Sequence, residues 1–441
     1  MSIFHENFSS IAEFSANLAY FGASSARISH PTTMLRTLSF TNFCSFRDPA
    51  ELSLTASAKT PVDHSYTTSR CGDHITVLCG VFGPNASGKT NLLKVLAFLN
   101  FFARHSYRSL GPATPIPVDP FLDGNTNPVR ILAEFEGHGR LYRYETLITP
   151  AGVEEERLSQ RFDDTRSFRT LLHRRAGKSG PLLGQHDEFT DLDALRGLLK
   201  DRPNASMLSA GLVTGRPEFN RIFESLGRVE TNVDRMGKAE IHQSTRASDV
   251  IACARYFQEN PHFKNDLEDR LKRADLGIDA FSIRELEMAD SETGKVNRIP
   301  VPFVTHKSGG KSFEIPLTME SSGTKRLFLL LGTFLPVLTE GGIAVIDEME
   351  SDLHPHIIPL LIDLFVDAAT NPKRAQLVFT CHHVEILNQL AKEQIILVQK
   401  DTDNVSSLRR LADIPGVRRE ENFFANYNAG RYEAVPSPSL F

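Results

Sequence analysis

Cysteine is scarce in this 441-residue chain, and the few present make no pair. Cys44, Cys71, Cys79, Cys253 and Cys381 include no C-x-x-C spacing and leave one thiol odd. That pattern speaks against a disulfide framework or zinc ribbon and reads as reduced cytosolic thiols. Long apolar runs are missing too. The longest, Leu327–Leu338, has 12 residues, against about 20 for a membrane-crossing helix. Glu6 and Glu13 break the candidate apolar region of a signal peptide. These features predict a soluble cytoplasmic protein with no membrane partner. Neither charge dominates: Lys+Arg 49 against Asp+Glu 54 leaves −5, which excludes a global polycation but not a local basic groove. No heptad seam lasts three or four repeats, and there is no internal repeat. Hydrophobic residues at 41% and charged residues at 23% fit a globular chain, and the length suits two or three domains at about 150 residues each.

Residues 1–33 are Ser- and Ala-rich with weak periodicity, and read as a non-native extension or an N-terminal arm. An alternating strand then opens at Met34. Thr76–Phe82 reads as a buried parallel strand, followed by a glycine-containing loop and a helix over Asn91–Phe102. Val129–Phe135 and Leu141–Ile148 flank Gly137-His138-Gly139 as a hairpin. Residues 34–158 form the first part of one head, and the polar stretch 159–298 reads as an inserted, mostly helical lid or sensor subdomain. The head resumes over 299–400, with strands at Val301–His306, Ser312–Pro316, Ile343–Asp347, Leu377–Cys381 and Ile395–Gln399. Helices are predicted from about Gly323 to Leu338, over His356–Val366 and over Val384–Ala391. Residues 401–441 form a tail. Strands alternating with helices imply an α/β fold with a mainly parallel sheet, plus an antiparallel β part.

The loop Gly83-Pro84-Asn85-Ala86-Ser87-Gly88-Lys89-Thr90 matches G-x-x-x-x-G-K-[ST] at every fixed position, with a strand before it and a helix after it. Its glycines let backbone N–H groups turn inward around a phosphate, and the helix N-terminus adds a favourable dipole. Lys89 would reach the β- and γ-phosphates, and the Thr90 hydroxyl would bind Mg²⁺.

Ile343-Ala344-Val345-Ile346-Asp347-Glu348 is an apolar strand ending in two acids. One can hold Mg²⁺ through water, and its neighbour can polarise an attacking water. A second apolar run, Leu377–Cys381, ends at His382-His383, where a histidine could bond the γ-phosphate or that water. The rival reading is a transition-metal cluster of His354, His356, His382 and His383 with Asp347, but there is no H-E-x-x-H. Ordinary surface positions suit His356 and His383. In Glu320-Ser321-Ser322-Gly323-Thr324-Lys325-Arg326, Ser321 or Ser322 can cap the following helix. Capping alone explains much of this segment, while the functional reading adds a second molecule's γ-phosphate at the helix N-terminus.

These elements, in this order, resemble ABC-type ATPases of the SMC-like group, and within it the compact bacterial ATPases related to the OLD (overcoming lysogenization defect) and abortive-infection Rlo/AbiL-type proteins. The matching pieces are Leu38–Phe46, Gly83–Asn91, Glu320–Leu327, Ile346–Pro355 and Phe379–His383, with a family-like tail at Gly430–Pro436. The resemblance implies an ATP- and Mg²⁺-dependent P-loop ATPase with an AAA-type core. It makes Gly83–Thr90 the Walker A loop with Asn91 beside it, Asp347 the Walker B aspartate, Glu348 the catalytic glutamate and His382 the switch histidine. Ser321, Ser322, Gly323 and Thr324 stand where the ABC signature stands, and Ser351 and Asp352 where the D-loop stands. Asn42–Ser45 would lie near the base. In such proteins ATP is sandwiched head-to-tail, which implies a homodimer or higher homo-oligomer. One departure is plain: no glutamine precedes Gln160, so the usual Q-loop glutamine has no counterpart.

Thr90 and Gly323 lie 233 residues apart, too far for a transporter nucleotide domain. Only 59 residues follow His382, too few for the nuclease domain of OLD proteins, so any nuclease or toxin is expected on a separate effector. The expected function is an ATP-hydrolysing switch controlling that effector in anti-phage defence, by family analogy. The alternatives are an SMC-like DNA-repair ATPase that clamps DNA or RNA, and a non-hydrolysing scaffold. Basic clusters at Arg104–Arg108, His173–Lys178, Arg409-Arg410 and Arg418-Arg419 could meet phosphates; Glu348 argues against the scaffold.

Overall fold

The computed structural model describes residues 33–433 except 62, 70, 125, 162–166, 178–181, 186–188, 190–191, 235–236, 239–246, 275–276 and 290–295. The expected N-terminal arm, apart from residue 33, and the end of the Gly430–Pro436 match lie outside the described residues. Two units emerge. The larger takes the described residues of His30–Ala239, Val337–Glu350 and Ile358–Phe441, and the smaller those of Glu240–Pro336 and Ser351–Ile357.

The core of the larger unit is a six-stranded sheet in the order Val229–Thr231, Ile343–Ile346, Gln376–Thr380, Leu78–Phe82, Ile395–Lys400, Ser406–Arg410. Its first five strands run parallel and the last is antiparallel. Every residue of Leu78–Phe82, Ile343–Ile346 and Gln376–Thr380 is buried, which is why these strands read as unbroken apolar runs and not as alternation. The Gln376–Thr380 strand lies between the phosphate-loop strand and the Asp-Glu strand, so all three deliver their loops to one sheet edge. The helix Lys89–Ser109 buries Leu92, Leu96, Leu99, Phe102 and Ala103 at helical spacing. Each large apolar side chain there contributes about 1.5–3 kcal/mol.

A seven-stranded antiparallel sheet begins with Met34–Thr41 and includes the hairpin Val129–Gly137 and Arg140–Thr149. His138 (φ 50°) and Gly139 (φ 69°) form its two-residue turn, with the positive angles that match strand twist. Gln376 joins this sheet to the core: its amide accepts from Leu35 N at 2.7 Å and donates to Leu35 O at 2.9 Å and Thr76 O at 3.0 Å.

Within 159–298, the helices Asp193–Leu199, Met207–Val213, Pro217–Leu226, Ala247–Glu259 and Lys264–Arg273 are accompanied by the strands Phe168–Arg175 and Ala280–Ala289. The strand Gly152–Arg161 runs across residue 158 without a break. Residues after Lys400, expected as a tail, supply the edge strand Ser406–Arg410 and the helix Phe423–Asn428. In the smaller unit, Ala280–Ala289, Val296–Ser308 and Lys311–Pro316 form an antiparallel sheet. Phe257, Phe263, Phe281 and Phe328 are buried in its core. Among the described residues, no helix is long and apolar enough to cross a membrane.

Candidate functional site at the phosphate loop

Sterics fix the loop's backbone. Gly83, Ala86 and Gly88 have φ of 150°, 59° and 113°. A Cβ at Gly83 would sit 2.1 Å from Val398 O, and one at Gly88 would sit 2.5 Å from Ser406 Oγ. Glycine is therefore required at both positions, for conformation and for space. Ser406 also holds the loop from behind: its hydroxyl donates to Ser87 O at 2.6 Å and is hydrogen-bonded to the Ser45 hydroxyl at 2.7 Å. Asn91 Nδ2 donates to Ser45 Oγ at 2.8 Å, so the first-strand turn reaches this loop through Ser45. Asn42 and Cys44 in that turn both have positive φ, and Asn42 Nδ2 donates to Asn127 O.

Lys89 is buried, and its Nζ donates to Gly83 O and Pro84 O, each at 2.9 Å. Burial lowers its pKa, against the raising influence of Asp347, Glu350 and Glu348. Thr90 Oγ1 donates to Asp347 Oδ2 at 2.7 Å, and Thr380 Oγ1 donates to Asp347 Oδ1 at 2.6 Å. Both carboxylate oxygens of a buried acid are thus engaged by hydroxyls from separate elements. Asn232 clasps the same residue's backbone, accepting from Asp347 N at 2.7 Å and donating to Asp347 O at 2.9 Å.

Glu348 follows in the left-handed region, φ 47°, uncommon for a non-glycine residue. Its N–H donates to Thr380 Oγ1 at 2.7 Å, which holds that conformation. His382 lies exposed just beyond the neighbouring strand, and its N–H donates to Glu350 Oε1 at 2.8 Å. The structure therefore brings Gly83–Asn91, Asp347, Glu348 and His382 to one end of the core sheet in the larger unit.

Ser321, Ser322, Gly323, Thr324, Ser351 and Asp352 belong to the smaller unit. Ser321 Oγ caps the helix Ser322–Glu340 by accepting from Thr324 N at 3.1 Å. A Cβ at Gly323 would meet Asp352 O at 2.8 Å, so the signature-like turn packs directly on the Ser351–Asp352 turn. His306 Nε2 meets Glu320 Oε1 at 2.6 Å just before the cap. Elsewhere in this unit the His354 and His356 rings lie 4.9 Å apart. Among the described residues, no group of three or more His, Cys, Asp or Glu side chains could hold a metal ion. His383 is not the ordinary surface histidine expected: it is half-buried, with Nδ1 buried and taking no hydrogen bond.

Asn232, Thr380, Glu350 and Ser406 carry none of the sequence motifs' fixed positions, although Thr380 and Glu350 lie inside matched segments. Asn232 gave no signal because the strand before it, Val229–Thr231, is only three residues long. One cation of each basic cluster is engaged within the fold. Arg104 is half-buried and donates to Phe223 O and Gly227 O, and desolvation lowers it to about 10. Arg174 is buried beside Glu156, while Arg410 and Arg419 pair with Asp413 and Glu393. Arg108, Arg175, Arg409 and Arg418 of the same clusters are exposed.

The chain is similar to the solved structure described as the recombination mediator protein RecF-ATP in the RecFOR pathway. The two share 11% sequence identity with a TM-score of 0.34, covering 81% of this chain and 94% of that one. The likeness is too loose to transfer any residue's role. No curated protein matches the chain. Residues 78–388, from the phosphate-loop strand to just beyond His383, match a family of P-loop ATPase domains, and the chain belongs to that family, described as AAA domain, putative AbiEii toxin, Type IV TA system.

Proposed function

We propose that the chain is an ATP-binding and ATP-hydrolysing ABC-type switch that assembles through a composite ATP sandwich and controls a separate effector, a nuclease or toxin, in bacterial anti-phage defence. The observation that carries the ATPase reading is the hydrogen-bonded line Thr90–Asp347–Thr380, which fixes a carboxylate beside the phosphate loop.

The residues fit Mg-ATP. Thr90 and Asp347 offer hard oxygen donors of the kind Mg²⁺ prefers, and the Ser87 hydroxyl is buried in the loop with no hydrogen bond. Bound there, Mg²⁺ would neutralise charge on the phosphate oxygens. Lys89 exchanges its two loop carbonyls for phosphate oxygens. Glu348 takes the proton of the attacking water, and His382 bonds the γ-phosphate. Ser321–Thr324, Ser351 and Asp352 of one subunit complete the phosphate loop of another, the helix N-terminus favouring negative charge. Membership of the OLD-related, Rlo/AbiL-type group is part of this reading. The family's toxin–antitoxin description supports a defence setting with an effector.

The clamp on DNA or RNA is the second reading: Arg104, Arg174, Arg410 and Arg419 are engaged within the fold, while Arg108, Arg409 and Arg418 are exposed. The test of assembly is the mass of Glu348→Gln protein by light scattering, with and without Mg-ATP. The sandwich requires a larger species with ATP that disappears when Lys89→Ala is added. A monomer under all conditions that still hydrolyses ATP in wild-type form would overturn it.

A further inference from the structure

Beyond the strand ends, the loop after Asp347 climbs along the chain that carries His382. Glu348 N donates to Thr380 Oγ1, Met349 N donates to Thr380 O at 3.1 Å, and Glu350 Oε1 then accepts from His382 N at 2.8 Å. Glu350 is the last of these links and lies past the end of the regular ladder, whose final paired rung is Ile346 with Phe379. Its side chain is unusual for a spacer. Glu350 is only 9% exposed, and Oε2 is buried without any hydrogen bond. A carboxylate is costly to bury half-used, and packing alone would be served better by an apolar group.

We propose that Glu350 is a positioning residue for hydrolysis: its carboxylate ties the turn bearing Glu348 to the turn bearing His382, so that the two groups reach the γ-phosphate in register. This rests on the ATPase reading of the site. The Cys381 thiol sits beside the same carboxylate, its Sγ donating to His383 O at 3.8 Å, and burial and that charge push its pKa up. The Glu350 charge also favours the ammonium form of Lys89, against the effect of burial.

The test combines steady-state ATP turnover, affinity for a non-hydrolysable ATP analogue, and hydrogen exchange of the His382 amide in the full chain without nucleotide. Glu350→Ala should speed that exchange about tenfold, the scale of one hydrogen bond to a charged acceptor. It should lower kcat about tenfold or more while analogue affinity stays within about threefold, because the tie orients reacting groups and does not bind substrate. Glu350→Gln keeps an acceptor oxygen and should restore both the exchange rate and kcat. Glu350→Asp keeps the charge but is one methylene short, so it should behave as Ala does; it replaces Ala if that variant does not fold. Unchanged exchange and turnover in Glu350→Asp, or a Gln variant as impaired as Ala, would overturn the proposal. A wild-type protein without ATP turnover would instead sink the ATPase reading, leaving the exchange measurement to judge the Glu350–His382 tie.

Discussion

The hydroxyl of Thr90 and the carboxylate of Asp347, 257 positions apart in the chain, meet at 2.7 Å. The contact spans a neighbouring strand, because Gln376–Thr380 separates the strands that carry these two loops. Thr380 fills the gap by bonding the other carboxylate oxygen and the Glu348 N–H.

Thr380→Val tests that brace. The methyl preserves shape but leaves a buried Asp347 oxygen without its donor, costing about 1–3 kcal/mol of stability. Turnover should fall more than nucleotide affinity, since Glu348 loses its backbone anchor. Denaturant melts and steady-state kinetics read both effects, and wild-type kcat would show that the anchor is dispensable.

Lys89→Ala removes the ammonium that now bonds Gly83 O and Pro84 O. Nucleotide affinity should fall about 100-fold or more, the scale of losing a buried charge partner. Calorimetric titration checks it; unchanged affinity would remove the loop from the account.

Gly323→Asp addresses the signature turn. A side chain there collides with Asp352 O and adds negative charge at a helix N-terminus proposed to face phosphate. Hydrolysis should be lost while a single subunit still binds ATP in a filter assay. Full activity in the folded variant would argue against a composite site.

Acid stability offers a check remote from the nucleotide. Burial alone would raise the Asp73 carboxyl, but hydrogen bonds from Arg36 and Ser69 hold it below its ordinary value. A depressed folded pKa contributes stability above the unfolded value of about 4 that is lost as pH falls through the folded one. Asp73→Asn should therefore melt below wild type at neutral pH, with the difference shrinking as pH drops under about 4. A difference independent of pH would assign Asp73 a packing role only.

The sequence made the phosphate loop and the Asp-Glu strand legible because their chemistry demands fixed residue types at fixed spacing, and because fully buried strands appear as apolar runs. The strand Gly152–Arg161 was obscured by its charges. Glu155 pairs across it with His173 at 2.8 Å and along it with Arg157 at 2.7 Å, so these charged side chains are sheet pairs. Ser406–Arg410 looked like tail for the same reason, yet Ser406 supports the phosphate loop. Asn232 makes two long-range hydrogen bonds to Asp347 and Glu350 one to His382, and such contacts leave no periodic trace.

Hydrolysis of ATP at this site, with Glu348 as the proton acceptor, is tested by phosphate release from wild-type and Glu348→Gln protein, with ATP binding followed in parallel. Turnover is expected in the wild type, and the variant should bind ATP equally but release phosphate about 100-fold more slowly or worse. Equal turnover in the variant, or none in an ATP-bound and assembled wild type, would contradict it.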